Sequence, residues 1–357
     1  MKIVIIGAGV AGLSLGWRLA QAGAEVTILE RAQPGSGATN ASAGMIAVTA
    51  ELLDAHAVEM EFARHSNILW PEFAEAVEAA SDRMIGFSRS GALILAADRA
   101  ALARLAKRAD EPGLEILDAG QTRVLAPLVT GPQVGALWSP KEAQVDAKAL
   151  GSALAFAFQR AGGRLLTNEA VVRIERQNGR AAIAHTPFGL YHADVFVLAA
   201  GAWSGLIEAG LAPITPVKGE MIALAPPGLE KPPAPVVWGN GIYAVPRGNN
   251  LLIGATVENV GFDTALTDAA RDGLRAKAEI LMPSLKAWSL VDHWAGLRPR
   301  SPDGLPLLGP TALDGLWLAS GQFRNGILFA PAIAESLTAQ LMGKAAPIPA
   351  FDPRRLK

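Results

Sequence analysis

Residues 2–31 read KIVIIGAGVAGLSLGWRLAQAGAEVTILER, and this stretch predicts the fold class of the chain. Its β-branched run at 2–6 predicts a strand, the glycines within 7–12 predict a tight turn, and the apolar spacing of 13–22 predicts a helix. A second β-branched run at 25–30 predicts another strand. A strand, a helix and a strand in this order form a βαβ unit, which predicts an α/β fold with a parallel sheet.

The turn between the first strand and the helix carries glycines at the spacing G-x-G-x-x-G. In such a turn Gly7 permits the bend, Gly9 lets the backbone approach a pyrophosphate, and Gly12 lets the helix pack closely. Glu30 ends the next strand, where a carboxylate accepts hydrogen bonds from an adenosine ribose. The alternative is a tight turn with an ordinary surface glutamate. The full pattern favours a dinucleotide site, and a ribose carboxylate disfavours NADP.

The composition excludes several other classes of protein. The 357 residues suffice for about two domains. Hydrophobic residues make up 50% of the chain and charged residues 18%, which excludes disorder. A net charge of -1 argues against nucleic acid as a partner. The absence of cysteine excludes disulfides, iron–sulfur clusters and thiolate metal sites, and the histidines show no metal-ligand spacing.

The N-terminal apolar run superficially resembles a secretory signal, but glycines interrupt it. No other run reaches the roughly 20 apolar residues that a membrane span needs. We therefore expect a cytoplasmic chain that contacts no membrane.

The rest of the chain predicts a second, β-rich part. Helical spacing is present at 58–81 (bent or interrupted at Trp70-Pro71), 99–109, 147–161 and 266–281. Short strands are predicted at 88–96 and within 164–200 and 217–257. The sequences GIYAVP and NLLIGATVE flank a turn at 247–250 and predict a hairpin. The proline-rich stretch 345–353 predicts an extended surface tail.

The C-terminal part favours FAD over NAD. The sequence GQFRNGILFAP at 321–331 predicts a glycine-bearing turn that leads from an apolar strand into a helix starting near Pro331. A simple NAD dehydrogenase has no need of this second turn. A helix N-terminus aimed at a flavin stabilises the negative charge that reduction places on the ring.

Four blocks of sequence together resemble the D-amino-acid oxidase superfamily of FAD enzymes. They are residues 3–31, VLAAGAWS (197–204), GLRPRSPDGLPLLG (296–309) and GQFRNGILFAP. The last two blocks are most similar to the glycine oxidase branch, which is linked in many bacteria to thiamine thiazole synthesis. The resemblance implies an FAD-binding Rossmann-like domain of the GR2 type, interleaved with a substrate domain on an antiparallel sheet. The implied domains are 1–50, 145–215 and 294–345 for FAD, 51–144 and 216–293 for substrate, and 346–357 as a C-terminal tail.

The same resemblance implies which residues hold FAD. Besides the three glycines of the first turn and Glu30, they are Arg31, Thr39, Asn40, Ala43, Gly44, Met45, Val171, Ala200, Gly201, Trp203, Arg298, Arg324, Asn325, Gly326, Ile327 and Leu328. Some relatives attach their flavin through cysteine. Because this chain has no cysteine, we expect dissociable, non-covalent FAD.

Three side chains are the candidate catalytic residues. Flavin oxidation of an amino acid requires mainly that the substrate carboxylate be held, and a bidentate arginine is the most directional clamp for it. Arg298 in GLRP is the first choice, and Arg324 in FRNG is the second. Tyr243 could complete carboxylate binding through its hydroxyl. The alternatives are solvated surface arginines and a half-buried sheet tyrosine.

These observations predict an FAD-dependent oxidase of a small amino acid. Glycine is the favoured substrate, O2 the electron acceptor, and the products glyoxylate, ammonia and H2O2. The alternatives are a D-amino-acid or sarcosine oxidase, a flavin-dependent amino-acid dehydrogenase, and a flavin-binding subunit like those of cyanide synthases. Gln322 stands where the glycine oxidase branch commonly has histidine. The resemblance also implies a homo-oligomer.

Overall fold

The computed structural model describes residues 1–52, 55–109, 111–228, 232 and 234–356. Its strands are β1 (Lys2–Ile6), β2 (Glu25–Leu29), β3 (Met45–Ile46), β4 (Ala92–Ala96), β5 (Glu115–Asp118), β6 (Gly135–Ser139), β7 (Ala143–Gln144), β8 (Arg164–Leu166), β9 (Arg173–Gln177), β10 (Arg180–His185), β11 (Leu190–His192), β12 (Val195–Leu198), β13 (Thr215–Ala225), β14 (Val236–Gly239), β15 (Ile242–Arg247), β16 (Asn250–Gly254), β17 (Ser289–Arg300), β18 (Leu307–Pro310) and β19 (Leu316–Ser320).

The helices are α1 (Val10–Gln21), α2 (Ala38–Ala41), α3 (Val48–Glu51), α4 (Ala57–Ser81), α5 (Arg99–Ala106), α6 (Ala119–Leu125), α7 (Ala147–Arg160), α8 (Ser204–Ile207), α9 (Asp268–Leu281) and α10 (Ala330–Leu341). Short 3₁₀ turns lie at Gly201–Trp203, Pro283–Ala287, Pro349–Phe351 and Pro353–Arg355. In the part of the chain that the structure describes, no helix is long and apolar enough to cross a membrane.

The first sheet confirms the predicted βαβ unit. Its strand order is β18-β19-β12-β1-β2-β8, and all neighbours are parallel except β18 with β19. Strand β1 lies at the centre and is buried after Lys2, because both faces of the sheet are covered. Ile3 and Ile5 share a core cluster with α1, α7 and α10, and Val4 and Ile6 share one with β9 and β10. Helix α1 packs between α7 and α10. This layer is the predicted Rossmann-like part of the fold.

The second sheet has the order β17-β13-β16-β15-β14-β4-β6-β5. Its neighbours are antiparallel except β4 and β14, which run parallel. The predicted hairpin at 247–250 is present between β15 and β16. Helix α9 packs against this sheet, and Leu274, Ala278 and Leu281 are buried in its core. The fold therefore combines a parallel Rossmann-like sheet with a largely antiparallel one, as predicted.

Strands β13 and β17 form the long pair at one edge of the second sheet. Strand β17 pairs with β13 over almost its whole length, from Ser289 opposite Ala225 to Arg300 opposite Thr215. It therefore runs across the predicted domain boundary at 294. The exact division into domains stays a prediction.

Two other sequence expectations need correction. Helix α4 continues through Pro71, so Trp70-Pro71 does not interrupt it.

The C-terminal tail does not simply extend over the surface. Phe351 is fully buried, with its ring 5.0 Å from that of Phe62, and Arg355 forms an ion pair with Asp303. The tail packs because its aromatic side chain fills the core beside α4, which a proline-rich composition does not predict. Its last residue, Lys357, lies outside the described residues.

Candidate active site

One cavity of about 410 Å³ lies between the two sheets, within the size range of small-molecule sites. On one side it is bounded by the carboxyl ends of β1, β2 and β12, where ligands bind in open α/β sheets. On the other side it is bounded by side chains of β13, β15 and β17. Both groups of residues that the sequence singled out therefore line the same cavity.

The glycine turn has the geometry that a pyrophosphate site requires. Gly7 adopts φ +108°, and a Cβ there would lie 2.5 Å from the Ala199 carbonyl oxygen. A Cβ on Gly12 would lie 2.1 Å from the Gly7 carbonyl oxygen, so helix α1 can pack this closely only with glycine. A Cβ on Gly9 would meet only Thr39 Oγ1, at 3.6 Å. Gly9 thus leaves space in the cavity at the helix N-terminus, where an anion is favoured.

Glu30 is held in a fixed orientation beside this turn. Its Oε2 accepts a hydrogen bond from Ala8 N at 2.7 Å, and its Oε1 accepts one from Ala32 N at 3.0 Å. Each carboxylate oxygen has a further lone pair, and Glu30 lines the cavity. The residue therefore fits the predicted role of accepting ribose hydroxyls.

Arg31 and Trp203 form a contact that the sequence did not predict. The Arg31 guanidinium carbon lies 3.5 Å from the centre of the Trp203 ring, a cation–π geometry. The Trp203 ring in turn lies 5.5 Å from that of Phe262. Because Arg31 and Trp203 both line the cavity, this stack fixes two of the predicted cofactor residues in place.

The C-terminal turn approaches the cavity from the other end. Phe323 adopts a positive φ of 47°, and its N–H donates to the Pro299 carbonyl at 2.8 Å. The Leu328 carbonyl accepts hydrogen bonds from Ser66 Oγ at 2.6 Å and Trp70 Nε1 at 3.0 Å, so α4 anchors the turn. Helix α10 begins at Ala330, close to the predicted start.

Buried polar atoms without partners show that the cavity is built for a polar ligand. Gln322 Nε2 and Asn325 Oδ1 are buried, have no hydrogen-bond partner among the described residues, and belong to residues that line the cavity. Leaving such atoms unpaired costs about 1–3 kcal/mol each. A flavin has carbonyl oxygens and ring N–H and N atoms that match an amide. The residues present therefore fit FAD.

Arg298 lies flat against strand β13. Its Nη1 donates to the carbonyls of Lys218 at 3.3 Å and Thr256 at 3.1 Å. A Cβ on Gly219 would lie 2.2 Å from Nη1 and 2.3 Å from Nη2, so the guanidinium rests directly on this glycine. Within the described ranges, Arg298 forms no ion pair with a carboxylate. Its charge is therefore available to an anionic ligand.

Tyr243 stands beside Arg298 and is 6% exposed. Its hydroxyl donates to Met221 Sδ at 3.6 Å. Burial raises the pKa of Tyr243, and the nearby Arg298 acts in the opposite direction without cancelling this effect. The phenol therefore stays protonated at neutral pH and serves as a hydrogen-bond donor rather than a base.

The sequence reasoning missed Glu51. This side chain is 7% exposed, and its Oε2 lies 3.4 Å from Arg324 Nε. Burial raises the pKa of Glu51, while Arg324 and Arg298 lower it by a smaller amount. Glu51 belongs to the four-residue helix α3, whose sequence carries no motif, so only the tertiary contact with the C-terminal turn identifies it.

Most predicted site residues come together. The lining includes Gly7, Gly9, Glu30, Arg31, Thr39, Ala43, Met45, Val171, Ala200, Gly201, Trp203, Tyr243, Arg298, Arg324, Asn325, Gly326, Ile327 and Leu328. Gly12 supports the turn from behind. Asn40 is exposed and Gly44 packs against the Val145 carbonyl, and neither lines the cavity. Gly44 instead supplies the positive φ of 74° that turns the chain beneath Ala43 and Met45.

These features define a flavoenzyme of the Rossmann-like class. The chain belongs to the DAO family of FAD-dependent oxidoreductases, whose family model matches residues 2–341. This match confirms the resemblance predicted from the sequence blocks.

Particular relatives refine this assignment. The chain is 35% identical to the glycine oxidase of Pseudomonas aeruginosa, over 99% of this chain and 97% of that protein. It is 34% identical to the bifunctional protein ThiO/ThiG of Trichormus variabilis, over 93% of this chain and 51% of that protein. The chain thus spans about half the length of the bifunctional relatives. The crystal structure of glycine oxidase from Geobacillus kaustophilus superposes with a TM-score of 0.93 at 30% identity, covering 99% of both chains.

Proposed function

We propose that this protein is an FAD-dependent oxidase of a small amino acid, with glycine as the favoured substrate. Glycine, O2 and water would give glyoxylate, ammonia and H2O2. The observation that carries the proposal is Arg298, a guanidinium without a carboxylate partner in the described residues, beside the Tyr243 hydroxyl in a cavity that fits FAD. The names of the glycine oxidase relatives support the same substrate.

The side chains of the site suit an amino acid held by its carboxylate. Arg298 would bind both carboxylate oxygens through its planar fork, and Tyr243 would donate a further hydrogen bond. FAD, when bound, supplies the acceptor for the hydride that leaves Cα. Fixing the carboxylate orients the Cα–H bond, which is the main contribution that the protein makes to this reaction.

We propose that the cofactor is held by the cavity-lining residues of the two glycine turns. Glu30 would bind the adenosine ribose, and the N-terminus of α1 at Gly9 would face the pyrophosphate. Gln322 and Asn325 would offer their unpaired amide atoms to the flavin or the substrate.

The test is anaerobic mixing of the purified holoprotein with glycine, sarcosine and D-alanine in turn. We expect glycine to bleach the oxidised-flavin absorbance and air to restore it promptly. Bleaching by sarcosine or D-alanine but not glycine favours one of the alternative substrates. Bleaching without recovery in air indicates a dehydrogenase. No bleaching by any of the three amines contradicts the proposal and leaves a flavin-binding subunit.

We further propose a cytoplasmic homo-oligomer that serves thiamine synthesis, as the resemblance to the glycine oxidase branch implies. The bifunctional relatives, in which a similar half is fused to a second half, support this setting. Light scattering on the eluted peak measures the oligomeric state. A monomer at micromolar concentration contradicts that part of the proposal.

A further inference from the structure

Glu51 is a buried carboxylate at the substrate end of the cavity that the function described above does not use. It lines the cavity together with Arg298, Arg324 and Tyr243. Its Oε2 is buried and accepts no hydrogen bond from the part of the chain that the structure describes, although Arg324 Nε lies 3.4 Å away. A buried carboxylate oxygen without a hydrogen-bond donor is costly, because desolvation is only partly offset by the ion pair. A bound ligand that donates a hydrogen bond to this oxygen would remove the cost.

The charges around the cavity suit a zwitterion. Arg298 and Arg324 are cations, and the Glu51 carboxyl group shares the cavity with them, 3.4 Å from Arg324 Nε. An amino acid brings a carboxylate and an ammonium group only a few ångströms apart. Arg298 and Tyr243 match the carboxylate, and Glu51 lines the same cavity with an acceptor for the ammonium group.

The chemistry of the reaction requires that the ammonium group lose a proton. An amino acid enters at neutral pH as an ammonium ion, whose nitrogen has no lone pair. Hydride can leave Cα only when the nitrogen lone pair is free to form the C=N bond. One proton must therefore leave the nitrogen first, and Tyr243 cannot take it because it is already protonated at neutral pH.

We propose that Glu51 binds the ammonium group of the amino-acid substrate and accepts one of its protons before the Cα–H bond breaks. An N–H bond breaks and an O–H bond forms on Glu51, and the electron pair stays on nitrogen. That pair then forms the C=N bond as the Cα–H pair leaves as hydride to the FAD oxidant. This inference rests on the proposed function.

Four charged or titratable groups face Glu51 and set its proton affinity. Arg324 on the C-terminal turn and Arg298 on β17 favour the carboxylate. Tyr243 on β15 is electrostatically coupled to Glu51, and so is Glu142, which lies between β6 and β7. Burial opposes the two arginines and raises the pKa of Glu51, so the carboxylate is a stronger proton acceptor than an exposed one.

The test compares Glu51→Gln with the unmodified holoenzyme over a range of pH. Glutamine keeps the shape and the contact with Arg324 but cannot take a proton. We expect kcat/KM for glycine near neutral pH to fall by about 100-fold, in the range of acid–base catalysis. The loss should shrink as the pH rises, because free glycine then carries its own neutral amine. Glu51→Asp, which retains a carboxylate, should recover part of the activity.

A second measurement separates this role from a structural one. Acetate carries the carboxylate of glycine but no ammonium group, so its competitive inhibition reports only the Arg298 side of the site. We expect the acetate inhibition constant to change by less than about threefold in Glu51→Gln, whereas Arg298→Lys weakens it. Glu61→Gln, an exposed residue of α4, is the matched control and should leave all values unchanged.

Each outcome decides the matter. If the unmodified enzyme oxidises glycine but Glu51→Gln retains its kcat/KM and pH profile, the inference on Glu51 is wrong and the proposed function stands. If Glu51→Gln loses acetate binding as strongly as glycine oxidation, Glu51 only positions Arg324 and the inference is again wrong. If the unmodified enzyme oxidises none of the amines, the proposed function fails and the role of Glu51 fails with it.

Discussion

At the scale of single residues, the substrate site depends on the contact between Arg298 and a glycine. The guanidinium lies on the Cα of Gly219 and is held by the carbonyls of Lys218 and Thr256. Strand β13 therefore provides both a flat surface and hydrogen-bond acceptors for this side chain. The direction of the fork, and not only its charge, is set by the strand.

Replacing Arg298 with lysine should weaken substrate binding. Lysine retains the charge but loses the planar pair of donors, so KM for glycine should rise several-fold to about 100-fold, or about 1–3 kcal/mol. Steady-state kinetics at saturating O2 measure this change. Unchanged saturation kinetics would remove Arg298 from the site.

Gly219→Ala should weaken substrate binding in a similar way without touching the arginine itself. Its Cβ would lie 2.2 Å from Arg298 Nη1, so the guanidinium has to move. We expect KM to rise by at least about tenfold, roughly 1.4 kcal/mol, with the FAD content unchanged. Gly273→Ala on α9, where a Cβ meets nothing within 4 Å, is the control and should leave KM unaltered. Equal KM values for the two variants would show that the site accommodates the methyl group.

At the scale of elements, the close approach of α1 to the end of β1 creates the cofactor end of the cavity. Gly12 permits this approach, because its Cβ would lie 2.1 Å from the Gly7 carbonyl oxygen. Gly9 at the N-terminus of the helix has no such neighbour. The two glycines of one motif thus have separate physical roles, one in packing and one in leaving space for a ligand.

This difference predicts opposite behaviour of two similar substitutions. Gly12→Ala should destabilise the apoprotein by about 2 kcal/mol or more through overpacking. Gly9→Ala should leave the apoprotein melting temperature within about 2 °C of the unmodified value but weaken FAD binding by at least about tenfold. Thermal unfolding of the apoproteins and titration with FAD measure the two effects. If both variants melt alike and bind FAD alike, the assignment of these roles is wrong.

At the scale of the whole molecule, a buried acid links stability to pH. Glu142 is 2% exposed and accepts hydrogen bonds from Thr49 N at 2.6 Å and Ala50 N at 3.1 Å. Burial raises the pKa of Glu142 from 4.5 to about 7, although these bonds lower it. The folded protein therefore holds a proton that the unfolded chain releases between these values, so stability falls as the pH rises from 4.5 to about 7.

Glu142→Gln should remove this pH dependence. Glutamine keeps the acceptor oxygen for Thr49 and Ala50 but carries no charge. We compare the free energy of unfolding of Glu142→Gln with that of the unmodified protein at each pH. The difference, variant minus unmodified, should be larger at about pH 8 than at about pH 5 by about 2–3 kcal/mol. Denaturant unfolding of the FAD-saturated proteins at both pH values measures the difference, with exposed Glu61→Gln as the control. A difference independent of pH would mean that Glu142 titrates normally.

FAD should be released from the protein when the protein is denatured. Because the chain contains no cysteine, we expect acid precipitation to release the yellow colour into the supernatant. Absorbance of the pellet and the supernatant measures the distribution. Colour that stays with the precipitated protein would indicate a covalent link through histidine.

The sequence alone predicts the βαβ unit, which the first sheet confirms, and singles out Gly7, Gly9 and Gly12 and the candidate pair of Arg298 and Tyr243. It could do so because periodicity, turn chemistry and short motifs are local, and because the resemblance rests on continuous blocks. The placement of Asn40 and Gly44 off the cavity was beyond that reasoning. It depends on which way a short loop turns against the strands beneath it.

The rest of the site follows from contacts between residues that are far apart in the sequence. Glu51 contacts Arg324 although the two residues are 273 positions apart in the sequence. The guanidinium of Arg298 lies on Gly219 because β13 and β17 pair in one particular register. Phe351 is buried because its ring packs against that of Phe62 on α4. Contacts of this kind depend on how distant strands and helices pack. The free energy that stabilises this packing comes from side chains of the whole core, so no single segment of the sequence predicts it.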